Sequence, residues 1–249
     1  MKVINKVLNY KNLNIIQDTE MFSFCLDSIL LANFYKPKTK EKKICDFGTN
    51  NAIIPLIVSK FSNDQTKITG VEIQKRASDI AKENVLLNCL DKKIEIINED
   101  IKDFLKNKNN YFDIIYCNPP FFKTNKDSNL NKKSETLIPA RHETLINLEE
   151  IIFSAKVALK NGGRFVMVHL AERLDEIIYL LWKNNFKIKN LQFIYSKKNQ
   201  QPKKILLDAI NDGNCGINIM KNFYVHNENG TYTNEMKKVF GDLSDEDMQ

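Results

Sequence analysis

Long apolar segments and glycine-rich loops are both missing from this sequence. No apolar run reaches the roughly 20 residues that a membrane-spanning helix needs, and the start, MKVINK, lacks the apolar stretch of a secretory signal. The chain has only 8 glycines and nowhere carries the G-x-G-x-x-G pattern of dinucleotide-binding loops. These absences predict a cytoplasmic protein without membrane helices, and they argue against NAD as a ligand.

Cysteine is scarce and irregularly placed. The five cysteines are odd in number, and no two stand at zinc-ligand or C-x-x-C spacing. We therefore predict no metal site, and we expect reduced cysteines that fill small spaces in the core. They are Cys25, Cys45, Cys89, Cys117 and Cys215.

Positive charge exceeds negative charge by a modest margin. The 37 Lys and Arg residues against 31 Asp and Glu residues give a formal net charge of +6, which suits a polyanionic partner without proving one. Lysines cluster at residues 36–43, 123–133 and 197–204. Each cluster taken alone is better explained as a solvated loop.

Apolar runs alternate with helical patterns from residue 43 onward, without an internal repeat or a long linker. The patterns predict strands at 44–47, 67–72, 94–97, 112–117, 165–168, 191–195 and 205–209, and helices at 52–61, 74–88, 148–159 and 172–182. This alternation indicates a parallel sheet covered on both faces, with ligands at the carboxyl ends of the strands. His169 and Trp182 are expected to be core residues.

Acidic and turn-forming residues follow the first three predicted strands. The turn after the first strand contains Gly48, which lets the backbone approach a ligand, and Asn50, which tolerates a left-handed conformation. Glu72 ends the second strand, where a carboxylate can bind a ribose diol, and Asp100 follows the third, where it can read an adenine. Singly these are ordinary loop residues, but together they predict an adenosine-containing cofactor. The predicted contacts are Asp46, Gly48, Thr49, Asn50, Glu72, Ile73, Asp100 and Ile101.

The fourth strand is followed by Asn118-Pro119-Pro120-Phe121. The prolines stiffen the backbone and remove N–H donors, so the Pro119 carbonyl and the Asn118 side-chain oxygen remain as two acceptors for one –NH₂ group. Phe121 offers a face on which a planar base can stack. We predict that these four residues are catalytic and methylate an exocyclic amine, with Asn118 also beside the cofactor; a plain turn is the alternative.

The motif at 118–121 resembles the N-P-P-[FY] motif of amino-methyltransferases. With the segments at 21–32, 140–143, 162–165, 168–169 and 172–174, the chain resembles bacterial tRNA (adenine-N6)-methyltransferases that modify the adenine 3′ of the anticodon in a valine tRNA. The resemblance spans about residues 10 to 225. It implies S-adenosyl-L-methionine as cofactor and a Rossmann-like class I fold. That fold has a seven-stranded, mostly parallel α/β sheet with helices on both faces and an antiparallel C-terminal strand.

The resemblance also implies several roles. Phe24 and Asp27 would help to close the cofactor site, and residues 1–42 would form an extension before a methyltransferase domain at 43–240 and an acidic tail at 241–249. The partner would be tRNA, through its anticodon stem-loop. Arg141 and His142 would contact an RNA phosphate or base, or else His142 and Glu143 would pin the polar loop at 123–138. The predicted substrate-binding residues are Phe121, Phe122, Lys123, Arg141 and His142. The family usually has glycine where this chain has Asn50 and Ala52.

Other substrates of such motifs fit less well. Glutamine methyltransferases carry a helical N-terminal domain, guanine-N2 rRNA enzymes often carry a second core domain, and DNA adenine enzymes carry a target-recognition domain. The chain has no segment of matching size for any of these. A non-catalytic module that binds the cofactor or RNA remains a further alternative.

Overall fold

A computed structural model of the chain describes residues 2–6, 13–18, 26–121 and 147–241. The strands are β1 (Lys2–Lys6), β2 (Asn14–Asp18), β3 (Lys43–Phe47), β4 (Lys67–Val71), β5 (Ile94–Ile97), β6 (Phe112–Cys117), β7 (Leu159–Leu170), β8 (Phe186–Tyr195), β9 (Lys204–Asn211), β10 (Asn218–Ile219) and β11 (Phe223–Tyr224). The helices are α1 (Leu26–Phe34), α2 (Ile53–Phe61), α3 (Lys75–Leu87), α4 (Ile101–Phe104), α5 (Leu148–Ala158), α6 (Leu174–Lys183) and α7 (Asn234–Val239), with a 3-10 turn at Ala171–Arg173.

The seven long strands from β3 to β9 form the predicted mixed sheet, in the order β8-β9-β7-β6-β3-β4-β5. The five strands from β7 to β5 in this order run parallel, and β9 is antiparallel to both of its neighbours. The predicted fold class is therefore confirmed. Two two-residue strands, β10 and β11, add to the edge beside β8. The chain leaves β3 toward β4 and β5 and then returns to β6, so the strand order reverses between β3 and β6.

Each face of the sheet carries its own apolar core. One contains side chains of α1, α2, α3 and α7, and the other contains side chains of α4, α5 and α6. Successive strand residues enter opposite cores, as Ile44 and Cys45 of β3 do, because side chains alternate across a strand. Asp46 lies on the same face of the sheet as Ile44, and Lys204 lies on the same face as Leu206. This is the face whose core contains α1.

Strand β7 begins six residues earlier than predicted. The segment Asn161-Gly162-Gly163, which follows the helix predicted at 148–159, lies inside the strand as a bulge. Leu159 pairs with Phe112 and Arg164 pairs with Ile114, so the register shifts across these glycines. Four residues of β7 lie between these two pairs and only one residue of β6, so β7 carries three extra residues there. Gly162 has a φ of 75°, a left-handed conformation that glycine adopts at no steric cost.

Two expectations for core residues were wrong. Trp182 is 68% exposed, because Ile177 and Leu181 define the buried stripe of α6 and Trp182 lies about 100° round the helix from Leu181. Cys45 and Cys117 are buried as predicted, whereas Cys89 and Cys215 are exposed. Cys25 lies outside the described residues.

Asn84 of α3 and Asn88, the residue that caps its C-terminus, hold the antiparallel pair of β1 and β2. Asn88 exchanges hydrogen bonds with the backbone N–H and C=O of Asn14, at 2.9 and 2.8 Å. Asn84 does the same with Ile16, at 2.6 and 3.2 Å, and it also donates to the Asn51 carbonyl at 3.0 Å. The two side-chain amides therefore take the place of a neighbouring strand along β2. Within the described ranges, no helix has the length and apolarity to cross a membrane.

Candidate active site

The ends of four parallel strands lie in register at one edge of the sheet. Phe47 of β3 pairs with Val71 of β4 and with Cys117 of β6, and Val71 pairs in turn with Ile97 of β5. The residues that follow these strand ends, including the predicted Gly48, Glu72 and Asn118, therefore meet at one edge. This edge is also where the strand order reverses, the usual ligand position in such sheets.

The turn after β3 has an alternating left-handed backbone. Gly48, Asn50 and Ala52 have φ values of 70°, 49° and 66°. The N–H groups of Gly48 and Thr49 both donate to the Val71 carbonyl, at 2.9 and 3.0 Å. Asn50 and Ala52 thus keep the backbone shape that glycine would adopt at no steric cost. The turn leads into α2, whose N-cap residue Ala52 has no capping side-chain hydrogen bond.

Glu72 ties this turn to the next one. One carboxylate oxygen accepts the Asn50 N–H and the other accepts the Gln74 N–H, both at 2.9 Å. Burial raises the pKa of Glu72, and the N–H groups of Gln74 and Asn50 oppose that rise. Because an ionised carboxylate has about four acceptor positions, these two bonds leave capacity for the ribose contact predicted for Glu72.

Asp46 of β3 and two side chains of the turn after it carry buried polar atoms without a hydrogen-bond partner. Both carboxylate oxygens of Asp46, the Thr49 hydroxyl and the Asn51 side-chain oxygen are in this state. Such groups are costly and rare in folded proteins. Burial raises the pKa of Asp46 to about 8, and the negative charge of Glu72 adds to the rise. A ligand with hydrogen-bond donors and positive charge would relieve all of these costs.

The loops after β4 and β5 are joined by a residue that the sequence reasoning missed. Asn98 follows β5 directly and donates to the carbonyls of Glu72 and Ile73, at 2.8 and 3.0 Å. Asp100 caps α4 by accepting the Lys102 N–H at 2.7 Å. One Asp100 oxygen therefore accepts a hydrogen bond at the N-terminus of α4, the helix that starts at Ile101. Ile73, 39% exposed, presents apolar surface at this edge.

The Asn118 side chain is held by α1. Its amide nitrogen donates to the Ser28 hydroxyl at 2.9 Å, which fixes the plane of the amide. Pro119 is buried and Pro120 is exposed, so the motif passes from the core to the surface within two residues. Ser28 was not predicted from the sequence, because 90 residues separate it from Asn118.

Phe121 is surrounded by residues from β7 and β9. The Lys204 ammonium lies 3.4 Å from the centroid of its ring, and the His169 ring lies 5.2 Å away at an interplanar angle of 73°. Lys204 also pairs with Asp27 of α1 at 2.8 Å. Asp27, predicted to help close the cofactor site, is thus in direct contact with the residue that touches Phe121.

His169 is buried, as predicted. Its Nδ1 accepts the Leu170 N–H at 2.8 Å, which places the ring proton of the neutral form on Nε2. Burial lowers its pKa to about 4, and the positive charge of Arg173 adds to that effect. His169 is therefore neutral at pH 7. Five predicted site residues lie outside the described residues: Phe24, Phe122, Lys123, Arg141 and His142.

A family model, that of the methyltransferase small domain, matches residues 12–180. The chain belongs to the methyltransferase small domain family. Membership of this family confirms that the protein is a methyltransferase and that its cofactor is S-adenosyl-L-methionine. The buried acceptors Asp46, Thr49 and Asn51 fit this ligand, which carries an ammonium group and a positively charged sulfonium.

Two relatives that match most of the chain share one name. A tRNA1(Val) (adenine(37)-N6)-methyltransferase of Tolumonas auensis is 26% identical over 198 residues, covering 80% of each chain. One of the same name from a Flavobacteriaceae bacterium is 23% identical over 212 residues, covering 85% of this chain and 87% of the relative. The resemblance noted from the motifs is thereby confirmed.

Solved structures agree with the family fold. A "predicted O-methyltransferase" from Agrobacterium tumefaciens superposes with a TM-score of 0.67 at 15% identity, covering 87% of this chain and 96% of that one. A geranyl diphosphate C-methyltransferase from Streptomyces coelicolor gives 0.54 at 9% identity, covering 74% and 76%. At these identities the likeness establishes the fold alone.

Proposed function

We propose that this protein transfers a methyl group from S-adenosyl-L-methionine to the exocyclic N6 of an adenine in tRNA, at the position 3′ of the anticodon. The observation that carries the proposal is the position of Asn118 directly after β6. The last residue of β6 pairs with the last residue of β3, next to the buried acceptors at the end of β3 and in the turn after it. The names of the relatives supply the position in the tRNA. We infer a cytoplasmic location from this substrate.

Two acceptors explain how a weak nucleophile is activated. The lone pair of an adenine amine is delocalised into the ring, so the nitrogen is planar and poorly nucleophilic. The Asn118 side-chain oxygen and the Pro119 carbonyl would each accept one N–H of this amine. Holding both hydrogens from one side favours a pyramidal nitrogen whose lone pair is directed away from them.

The rest of the reaction depends on alignment. When bound, the cofactor supplies an electrophilic methyl group on a sulfonium. Asn118 and Pro119 would hold the amine in line with that methyl group, and the methylated nitrogen would release its extra proton to water. Phe121 would stack on the base, which is worth about 1–3 kcal/mol in comparable sites. In-line geometry can account for several kcal/mol of the barrier.

The target base must leave its stack to enter this site. An amine inside a stacked helix or loop cannot reach a strand-end pocket, so the base is flipped out or already splayed. Residues 197–204, one of the three lysine clusters, end at Lys204 beside Phe121. A basic segment at the rim of the site suits an RNA backbone.

We further propose roles for residues beyond the motif. Phe24 would close the cofactor site, and the residues that would contact the RNA are Phe122, Lys123, Arg141 and His142. Residues 43–240 would form the catalytic domain, between the 1–42 extension and the 241–249 tail.

The decisive test is transfer of labelled methyl to unmodified tRNA, followed by nucleoside analysis. We expect N6-methyladenosine with the wild-type protein and a loss of about 10²-fold or more with Asn118→Ala, by analogy with removal of one transition-state hydrogen bond. Asn214→Ala is the control, because Asn214 is exposed just beyond the far end of β9. Asn118→Ala should fold normally and bind the cofactor in calorimetry.

The substrate position is tested with anticodon stem-loops. A stem-loop with guanine in place of the adenine 3′ of the anticodon should accept no methyl group. If the wild-type protein binds the cofactor but methylates no tRNA adenine, the proposal is wrong. Methyl groups found on guanine N2 or on protein glutamine would identify the alternative substrate.

A further inference from the structure

Lys204 lies at the edge of the sheet that holds the site, although in sequence it belongs only to the lysine cluster at 197–204. It is the first residue of β9, and it pairs with Leu170 at the end of β7. Because β9 runs antiparallel to β7, its start lies at the edge where the parallel strands end. The side chain faces α1, since Lys204 lies on that face of the sheet, and from there it reaches both α1 and the loop after β6.

The Lys204 ammonium makes two contacts at once. It lies 2.8 Å from an Asp27 carboxylate oxygen and 3.4 Å from the centroid of the Phe121 ring. The paired side chains are only 20% and 17% exposed, so water screens them less than a surface pair. An ammonium over an aromatic face is attracted by the ring quadrupole, more strongly when both are partly desolvated.

The two contacts join segments that are distant along the chain. Asp27 and Lys204 are 177 residues apart, and Phe121 lies between them in sequence. The His169 ring adds a second contact to Phe121, at 73° to its plane. Phe121 therefore has a defined orientation before any base arrives. Asp27 also offsets the positive charge of Lys204 near a site that binds a cationic cofactor.

We infer that Lys204 is a positioning residue, which acts through Phe121: it holds the ring in the orientation that receives the target base and ties that ring to the start of α1 through Asp27. This inference rests on the proposed function for its kinetic part only. Pre-organisation of this kind lowers the cost of aligning the base. A lysine that contacted RNA phosphate directly would act on binding instead, and the two roles make different predictions.

The first test needs no activity. By NMR, the ε-methylene protons of Lys204 should be shifted upfield by the Phe121 ring current in the wild-type protein and should return to ordinary values in Phe121→Leu. Protons at ordinary values in a folded wild-type protein would overturn the inference even if the enzyme is active. If the shift is present but no tRNA adenine is methylated, the contact stands and the proposed function fails.

The second test is kinetic, with Lys204→Met, Lys204→Arg and Phe121→Leu. Lys204→Met should lower kcat by roughly 10-fold, since misplacement by about an ångström costs up to about 10²-fold, while the cofactor Kd stays unchanged. Lys204→Arg keeps both the charge and the ring contact and should restore most of the loss. Lys92→Met is the matched control, because it removes the same charge from an exposed residue just before β5, at the edge of the sheet away from the site.

The double variant separates the two roles. If Lys204 acts through Phe121, then Lys204→Met should cost almost nothing further in a Phe121→Leu background, and the salt dependence of tRNA binding should stay that of the wild type. Additive losses, together with a salt slope reduced by about one, would mean that Lys204 binds phosphate, and the inference would be overturned. Circular dichroism and cofactor binding verify that each variant folds.

Discussion

Gly70 sits in the middle of β4 and has almost no room for a side chain. A Cβ atom added there would lie 2.8 Å from the Thr49 hydroxyl oxygen, 2.9 Å from the Thr49 methyl and 2.9 Å from Cδ1 of Ile96. The backbone of Gly70 lacks a positive φ, so conformation alone would allow alanine. Close approach of the cofactor turn therefore accounts for this glycine in a strand.

Two opposing effects decide the stability of Gly70→Ala. Replacing glycine reduces the freedom of the unfolded chain and would stabilise the protein by about 0.4–1 kcal/mol. Overpacking a filled interior costs about 1–3 kcal/mol, and all three contacts are shorter than real Cβ atoms show. We expect the clash to win, with a net loss of about 1–2 kcal/mol in the free energy of unfolding.

Urea unfolding of four proteins measures this balance: the wild type, Gly70→Ala, Thr49→Ala and the double variant. Two of the three close atoms belong to Thr49, so Thr49→Ala should recover at least half of the cost of Gly70→Ala. Displacement of Thr49 should also weaken cofactor binding in Gly70→Ala, as measured by calorimetry. A Gly70→Ala protein as stable as the wild type, or a double variant with purely additive losses, would refute the reasoning.

Two other predictions follow from the buried amide and carboxylate groups. Asn84→Ala should lower the free energy of unfolding by about 2–3 kcal/mol, because it leaves the Ile16 N–H and the Ile16 and Asn51 carbonyls without this partner. Hydrogen exchange at Ile16 should accelerate, and unchanged exchange would contradict the clamp. The raised pKa of Asp46 means that the folded, ligand-free protein holds a proton between about pH 4 and 8 that the unfolded chain releases. The stabilising contribution of the protonated Asp46 carboxyl is therefore full below about pH 4. It is lost as the pH rises to about 8, by up to about 1.4 kcal/mol per pH unit. Asp46→Asn should remove this slope from urea unfolding measured at several pH values, and a slope that survives the substitution would assign it to another group.

Local patterns predicted the central sheet and much of the cofactor side of the site. Strands β3 to β6 are short apolar runs bounded by polar turns. Their parallel arrangement brings their ends to one edge of the sheet, independently of how the helices pack. Glu72 was recognisable because an acid at a strand end has a position fixed by topology. Its exact bonds to Asn50 and Gln74 were not, since they depend on the turn conformations.

Other parts of the structure depend on contacts between distant residues. Asn84 and Asn88 look like ordinary helix-surface residues in sequence, yet they bind β2 about 70 residues away. Lys204 belongs to a cluster that resembles a solvated loop, and only the approach of α1 and Phe121 gives it partners. The bulge in β7 was misjudged because two adjacent glycines serve equally well to end a helix or to kink a strand.

The turn after β3 changes how the cofactor site behaves when it opens. Asn50 and Ala52 adopt left-handed backbone angles in the folded state, which costs each of them more than it would cost glycine. When the turn detaches from its neighbours, however, these residues sample fewer backbone states than glycine would. The detached turn therefore samples a smaller set of backbone conformations, so it loses less conformational entropy when it returns to the conformation that binds a ligand.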